Sequence, residues 1–119
     1  MSMTREATIF AFTTSNYDAM IQFFKDLGMK VNEKRTPLCP LFNSGRGAFV
    51  TRGDIAFNLE ESTSGPAIAS FNVLFTDGFT DADIKRLQQL AYSFSSEASL
   101  YGTFHTIKSP DGGTVMICT

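Results

Sequence analysis

Histidine, cysteine and clustered carboxylates carry most side-chain catalysis, and this chain is sparing with them. His105 is its single histidine, so any mechanism that needs an imidazole base must pass through that position. The turn at Pro110-Asp111-Gly112 sets Ile107 beside Val115, which puts His105 on the apolar, helix-facing side of its strand. Position therefore argues for a core or interface histidine. Cys118 shares a strand face with Met116, but no histidine stands near enough to activate its thiol, and it reads as structural. Cys39 and Cys118 make neither a disulfide framework nor a zinc-ligand spacing, so two reduced thiols in a cytoplasmic protein are expected. Gly45-Arg46-Gly47 has no helix behind it to complete an anion site, and Arg52-Gly53-Asp54 is a hairpin turn.

Composition narrows the classes further. A chain of 119 residues has room for one domain with its own core, spanning residues 1–119. A net charge of -2 offers no electrostatic footprint for nucleic acid or an anionic membrane. No apolar run approaches the roughly 20 residues that cross a bilayer, and the first residues lack a basic-then-apolar leader pattern. Twelve Phe with no Trp is a heavy aromatic load, which must line a core, a cleft or a subunit interface.

The elements that position these side chains follow from periodicity. Ala7 to Thr14 alternates as a strand. Ser15 with Asp18 three residues on reads as a capping box opening a helix from Asn16 to Leu27, with Tyr17, Met20, Ile21, Phe24 and Leu27 on one stripe and Gly28 ending it. Met29 to Lys34 is a strand, and Pro37 to Gly47 is irregular. Ala48–Thr51 and Ile55–Leu59 form a hairpin around Arg52-Gly53-Asp54. After a polar hinge at Glu61–Pro66, Ala67 to Phe75 is a strand. Thr80 with Asp83 caps a second helix whose stripe is Ile84, Leu87, Leu90, Ala91 and Phe94. A strand within Ser95–Leu100 and a final hairpin, Thr103–Lys108 with Thr114–Cys118, complete the chain.

The order strand, helix, three strands thus occurs twice, at 5–62 and 66–119, with Gly47-Ala48-Phe49 and Gly102-Thr103-Phe104 opening equivalent hairpins. Two such units can pair side by side into a curved mixed sheet with helices outside and a cleft inside, an α+β architecture. The chain resembles the vicinal-oxygen-chelate superfamily, which includes glyoxalases, bleomycin-resistance proteins and extradiol dioxygenases. The resemblance lies in this βαβββ repeat, in Phe23-Phe24-Lys25-Asp26-Leu27-Gly28-Met29 at the end of the first helix, and in Ser109-Pro110-Asp111-Gly112 before the last strand. Family members commonly have Asp-Pro-Asp-Gly there, followed by a strand that carries a metal-binding Glu.

The resemblance implies a site and argues against the usual metal in it. Carried over residue by residue, the family's donors fall on Ile9, on Asn58 or Glu60 according to register, on Ser70 and on Met116. Ile cannot ligate, Met and Ser are poor donors for hard or borderline cations, and one carboxylate does not hold a catalytic metal. No metal and no cofactor is expected, which points to the metal-free, bleomycin-resistance-like branch. The expected cleft has Ala11, Thr13, Leu74 and Thr114 on its walls. Asn58, Glu60, Ser70, Asn72, Phe104, Thr106 and Met116 are its candidate ligand-binding residues. The reading is a homodimeric module that sequesters or senses a small, partly aromatic molecule. The alternatives are a metal-dependent glyoxalase-like lyase, isomerase or dioxygenase, and a structural or regulatory homodimer with no ligand.

Overall fold

A computed structural model describes residues 10–34, 46–62 and 72–119. The elements run β1 (Phe10–Thr14), α1 (Tyr17–Asp26), β2 (Lys30–Lys34), β3 (Gly47–Arg52), β4 (Ile55–Glu61), β5 (Asn72–Phe75), α2 (Asp81–Gln88), β6 (Phe94–Ser99), β7 (Gly102–Lys108) and β8 (Thr114–Cys118). The βαβββ order is therefore present twice. Ile9, Cys39, Ser70, the irregular stretch up to residue 45 and most of the expected hinge lie outside the described residues.

α1 forms because Tyr17, Met20, Ile21, Phe23 and Phe24 bury one side of it. It ends in a Schellman motif: Gly28 N–H donates to the Lys25 carbonyl and Met29 N–H to the Phe24 carbonyl, with Gly28 at φ +81°. Its start differs from the expected Ser15 capping box. The N-cap is Asn16, whose side chain makes no cap bond. Thr14 Oγ1 instead accepts from Asn16 N–H at 3.0 Å, and Arg46 draws the Asp18 carboxylate away at 2.6 Å. α2 does open with the expected capping box, Thr80 and Asp83 bonding each other's backbone N–H. It stops sooner than its stripe suggested. The helix closes at Gln88, and Phe94, paired with Ile107, begins β6.

Each module has its own four-stranded mixed sheet, ordered β1-β4-β3-β2 and β5-β8-β7-β6. The first and last strands of each module are parallel neighbours, and the other pairs are antiparallel. Period-two alternation gives each sheet two faces. In the first, Phe57 packs edge-to-face on Phe24 of α1, with ring centroids 5.0 Å apart, so Phe12, Leu59, Ala48 and Val50 share the helix face. In the second, Val73, Phe75, Ile107, Val115 and Ile117 hold that role.

The two modules meet through their helix sides. Phe23 of α1 stacks edge-to-face on Tyr92 at 5.0 Å, and the Tyr92 hydroxyl donates to Asp26 Oδ2 at 2.5 Å. Burial, and then the Asp26 carboxylate, push the Tyr92 phenol well above its ordinary range. The Arg52 side chain, at the end of β3, reaches the Gly78 carbonyl at 2.6 Å just before α2.

Candidate functional site

On the face of the first sheet turned away from α1, β4 carries Asn58 and Glu60, flanked in register by Ala11 and Thr13 of β1. Both polar side chains are buried, and Asn58 Nδ2 donates to Glu60 Oε1 at 2.6 Å. The carboxyl lies over its cross-strand partner Gly47, where a Cβ would come within 2.5 Å of Glu60 Oε2. A side chain at position 47 would therefore have to displace the buried Glu60 carboxylate. Both Asn58 and Glu60 occupy this face, which answers the register question left open by the sequence.

Beside this pair sits a second polar group at the sheet edge. The Tyr17 hydroxyl donates to Glu33 Oε1, and Arg46 stacks over the Tyr17 ring at 4.3 Å while bonding Asp18 and Glu61. Burial, followed by Glu33, raises the Tyr17 phenol far above its usual value; the Arg46 guanidinium lowers the Asp18 carboxyl.

The corresponding face of the second sheet is more open. Asn72 is exposed and registers with Thr114; Thr106 registers with Met116, and Phe104 with Cys118. Phe104, Thr106 and Met116 are half-buried, and Leu74 keeps 51% of its surface. The expected site residues that are described are therefore sorted into a buried amide–carboxylate pair in one module and a more open face of mixed polarity in the other.

A groove of about 430 Å³ joins the modules, lined by Phe12, Ile55, Ala56 and Phe57 on one side and by Asn72, Val73 and Leu74 on the other. Of the expected ligand-binding residues that are described, Asn72 lines it. Phe12, Ile55, Phe57 and Val73 lie on the helix-facing sides of their strands; alternation assigns a face, but carries no signal about which sheet edges come together. The groove is apolar except for one amide, a make-up suited to an apolar or aromatic body with a single oriented polar group. A further hollow of about 450 Å³ continues from it, sharing Ile55 and Leu74 and running to Arg52 and Gly78.

Other candidate chemistry is accounted for. His105 lies on the helix-facing side, buried, with Ser96 Oγ 2.7 Å from Nδ1, Thr119 Oγ1 2.9 Å from Nε2 and the Phe94 ring alongside. Cys118 is a free thiol. Among the described residues no group of three or more His, Cys, Asp or Glu is placed to hold a metal ion. Of the positions matched to the family's donors, the described ones offer the single carboxylate of Glu60 and the soft thioether of Met116, which do not fit a catalytic divalent metal. Among the described residues no helix is long and apolar enough to cross a membrane.

Comparison with protein-family models gives no match, and neither does comparison with curated sequences. Solved structures do match over nearly the full chain. A glyoxylase/bleomycin resistance protein/dioxygenase domain from Frankia sp. EAN1pec superposes with a TM-score of 0.68 at 11% identity, covering 98% of each chain. An antibiotic-binding protein from Streptomyces sp. CB03234 gives 0.67 at 20% identity, again covering 98% of each. A bleomycin-binding protein complexed with bleomycin gives 0.61 at 11%, covering 97% of this chain and 98% of that one. The chain therefore has the glyoxalase/bleomycin resistance/dioxygenase fold, the paired βαβββ architecture of the vicinal-oxygen-chelate proteins.

Proposed function

We propose that this protein binds a small, partly aromatic molecule without a metal, as a sequestering or sensing module and not as an enzyme. The observation that carries this reading is the groove between Phe12, Ile55 and Phe57 of the first module and Asn72, Val73 and Leu74 of the second. Among the described residues it supplies apolar walls and one amide, but no base, nucleophile or ligand set. Structures of the same fold include an antibiotic-binding protein and a bleomycin-binding protein, which supports small-molecule capture as a use of this architecture. Asn72, Phe104, Thr106 and Met116 face one way on the second sheet and would extend the site, while Asn58 and Glu60 supply the polar pole of the first.

The protein is proposed to act as a homodimer in the cytoplasm. Leu74, Leu100 and Tyr101 are large apolar side chains left exposed, and an open sheet face with Phe104 and Met116 is suited to cover by a second copy. Thermal-shift screening of metabolites and antibiotics against the wild type and an Ala56→Trp variant tests the binding reading. A ligand of the native groove raises the melting temperature of the wild type and not of the filled variant. Equal shifts in both proteins would remove the groove from consideration.

A further inference from the structure

Arg52 belongs to a tripeptide that sequence alone assigns to an ordinary turn, yet its side chain bonds three backbone carbonyls and covers an aromatic ring. Nη1 donates to the carbonyls of Leu27 and Gly28, at 3.5 and 3.3 Å, where α1 ends. Nη2 donates to the Gly78 carbonyl at 2.6 Å, on the approach to α2. The guanidinium plane lies 4.0 Å over the Phe79 ring. A cation at the end of α1 is also favoured by the helix dipole.

The socket is built for this group from both modules. Gly28 adopts φ +81°, and a Cβ there would meet Arg52 Nη1 at 2.8 Å; Gly78 adopts φ +90° on the other side. Two left-handed glycines thus open their carbonyls toward one planar fork. Only a guanidinium presents several donors in fixed directions together with a flat face for stacking. Lysine, a single point charge on a flexible stem, cannot span the same carbonyls.

This clamp lines the hollow that adjoins the groove. Arg52 is the cross-strand partner of Ile55, and the hollow that Arg52 lines shares Ile55 and Leu74 with the groove. Resting on the groove as the binding site, we propose that Arg52 is a positioning residue: it fixes the separation of the modules and thereby the groove width that selects the ligand. It touches no ligand itself; it acts through Ile55 and Leu74. A site whose supporting shell is looser by about 1 Å loses much of its selectivity.

The test uses the full chain with Cys39 and Cys118 replaced by Ser and two readouts. The first is the distance distribution between spin labels at Lys25→Cys on α1 and Lys85→Cys on α2, both exposed positions. The second is the affinity of N-phenyl-1-naphthylamine, a neutral fluorescent probe. Arg52→Ala and Arg52→Lys are expected to broaden the distribution and weaken the probe roughly tenfold. Sub-denaturing guanidinium chloride, but not urea, should restore both in Arg52→Ala. Leu87→Val, which trims a buried side chain of α2 that does not line the groove, should leave the probe affinity unchanged. Unaltered distances and affinity in both Arg52 variants would overturn Arg52's role. A wild type that binds no probe, with distances that still broaden on substitution, would overturn the groove reading instead.

Discussion

Asn58 and Glu60, two residues apart on β4, form a buried hydrogen bond of 2.6 Å on the face turned away from α1. A carboxyl can be buried at modest cost only where hydrogen bonds compensate its lost hydration. Here the backbone must also yield room, and Gly47 does so. Gly47→Ala is expected to destabilise the fold by about 1–3 kcal/mol, the range for forced overpacking. In a double-mutant cycle, Glu60→Ala should remove most of that penalty. Urea denaturation of the four proteins measures it, and strict additivity would mean that the two residues do not clash.

The Tyr92–Asp26 bond ties the second module to α1. Tyr92→Phe should cost about 1–2 kcal/mol, as for a partly buried bond to a carboxylate, with the Phe23 ring contact retained. Alkaline titration gives a second check. The phenols of Tyr17 and Tyr92 are raised above their ordinary value of 10.0, each mainly by burial. Raised folded-state values mean that the unfolded chain ionises first. Their contribution is complete below about pH 10 and is lost as pH climbs beyond it. Chemical denaturation between pH 9 and about 11.5 should show a falling stability that is flatter in the Tyr17→Phe/Tyr92→Phe protein. Parallel slopes would contradict the assignment.

Much of the fold was legible because local signals agreed with one another. The Thr80–Asp83 capping box, Gly28 closing α1 and the Pro110-Asp111-Gly112 turn each have a local mechanism, and each is in place. The misread boundaries have tertiary causes. Ala91 and Phe94 continue the spacing of α2, but pairing of Phe94 with Ile107 draws the chain into β6. Ser15 has the right chemistry for a cap, yet Thr14 bonds the Asn16 amide and Arg46 takes Asp18. The groove was the least legible feature. Phe12 and Ile55 look like core on any alternation argument, and Arg52 looks like a turn, because contact between modules leaves no periodic trace in sequence.

Metal independence has a direct expectation. The purified protein should carry no stoichiometric divalent metal, and excess EDTA should leave probe affinity unchanged. Elemental analysis finding one tightly held metal per chain would contradict the donor argument built on Glu60 and Met116.

Assembly is tested by light scattering. The 13.1 kDa chain is expected at twice that mass at micromolar concentration, the range in which an interface of standard size persists. Replacing exposed Leu74 by Glu should shift the equilibrium toward the monomer, since a charge on an apolar contact face is left without a partner. A wild type that scatters as a monomer would remove the dimer from the proposal.

The central claim is that the groove between the modules binds a small apolar molecule. It is tested most directly by titrating N-phenyl-1-naphthylamine into the wild type and into Ala56→Trp, whose indole would fill the groove. The expected result is saturable binding of one probe per groove in the wild type and its loss in the variant, with folding of the variant verified by its unfolding transition. Saturable binding of equal strength in both proteins, or none in the wild type, would contradict the claim.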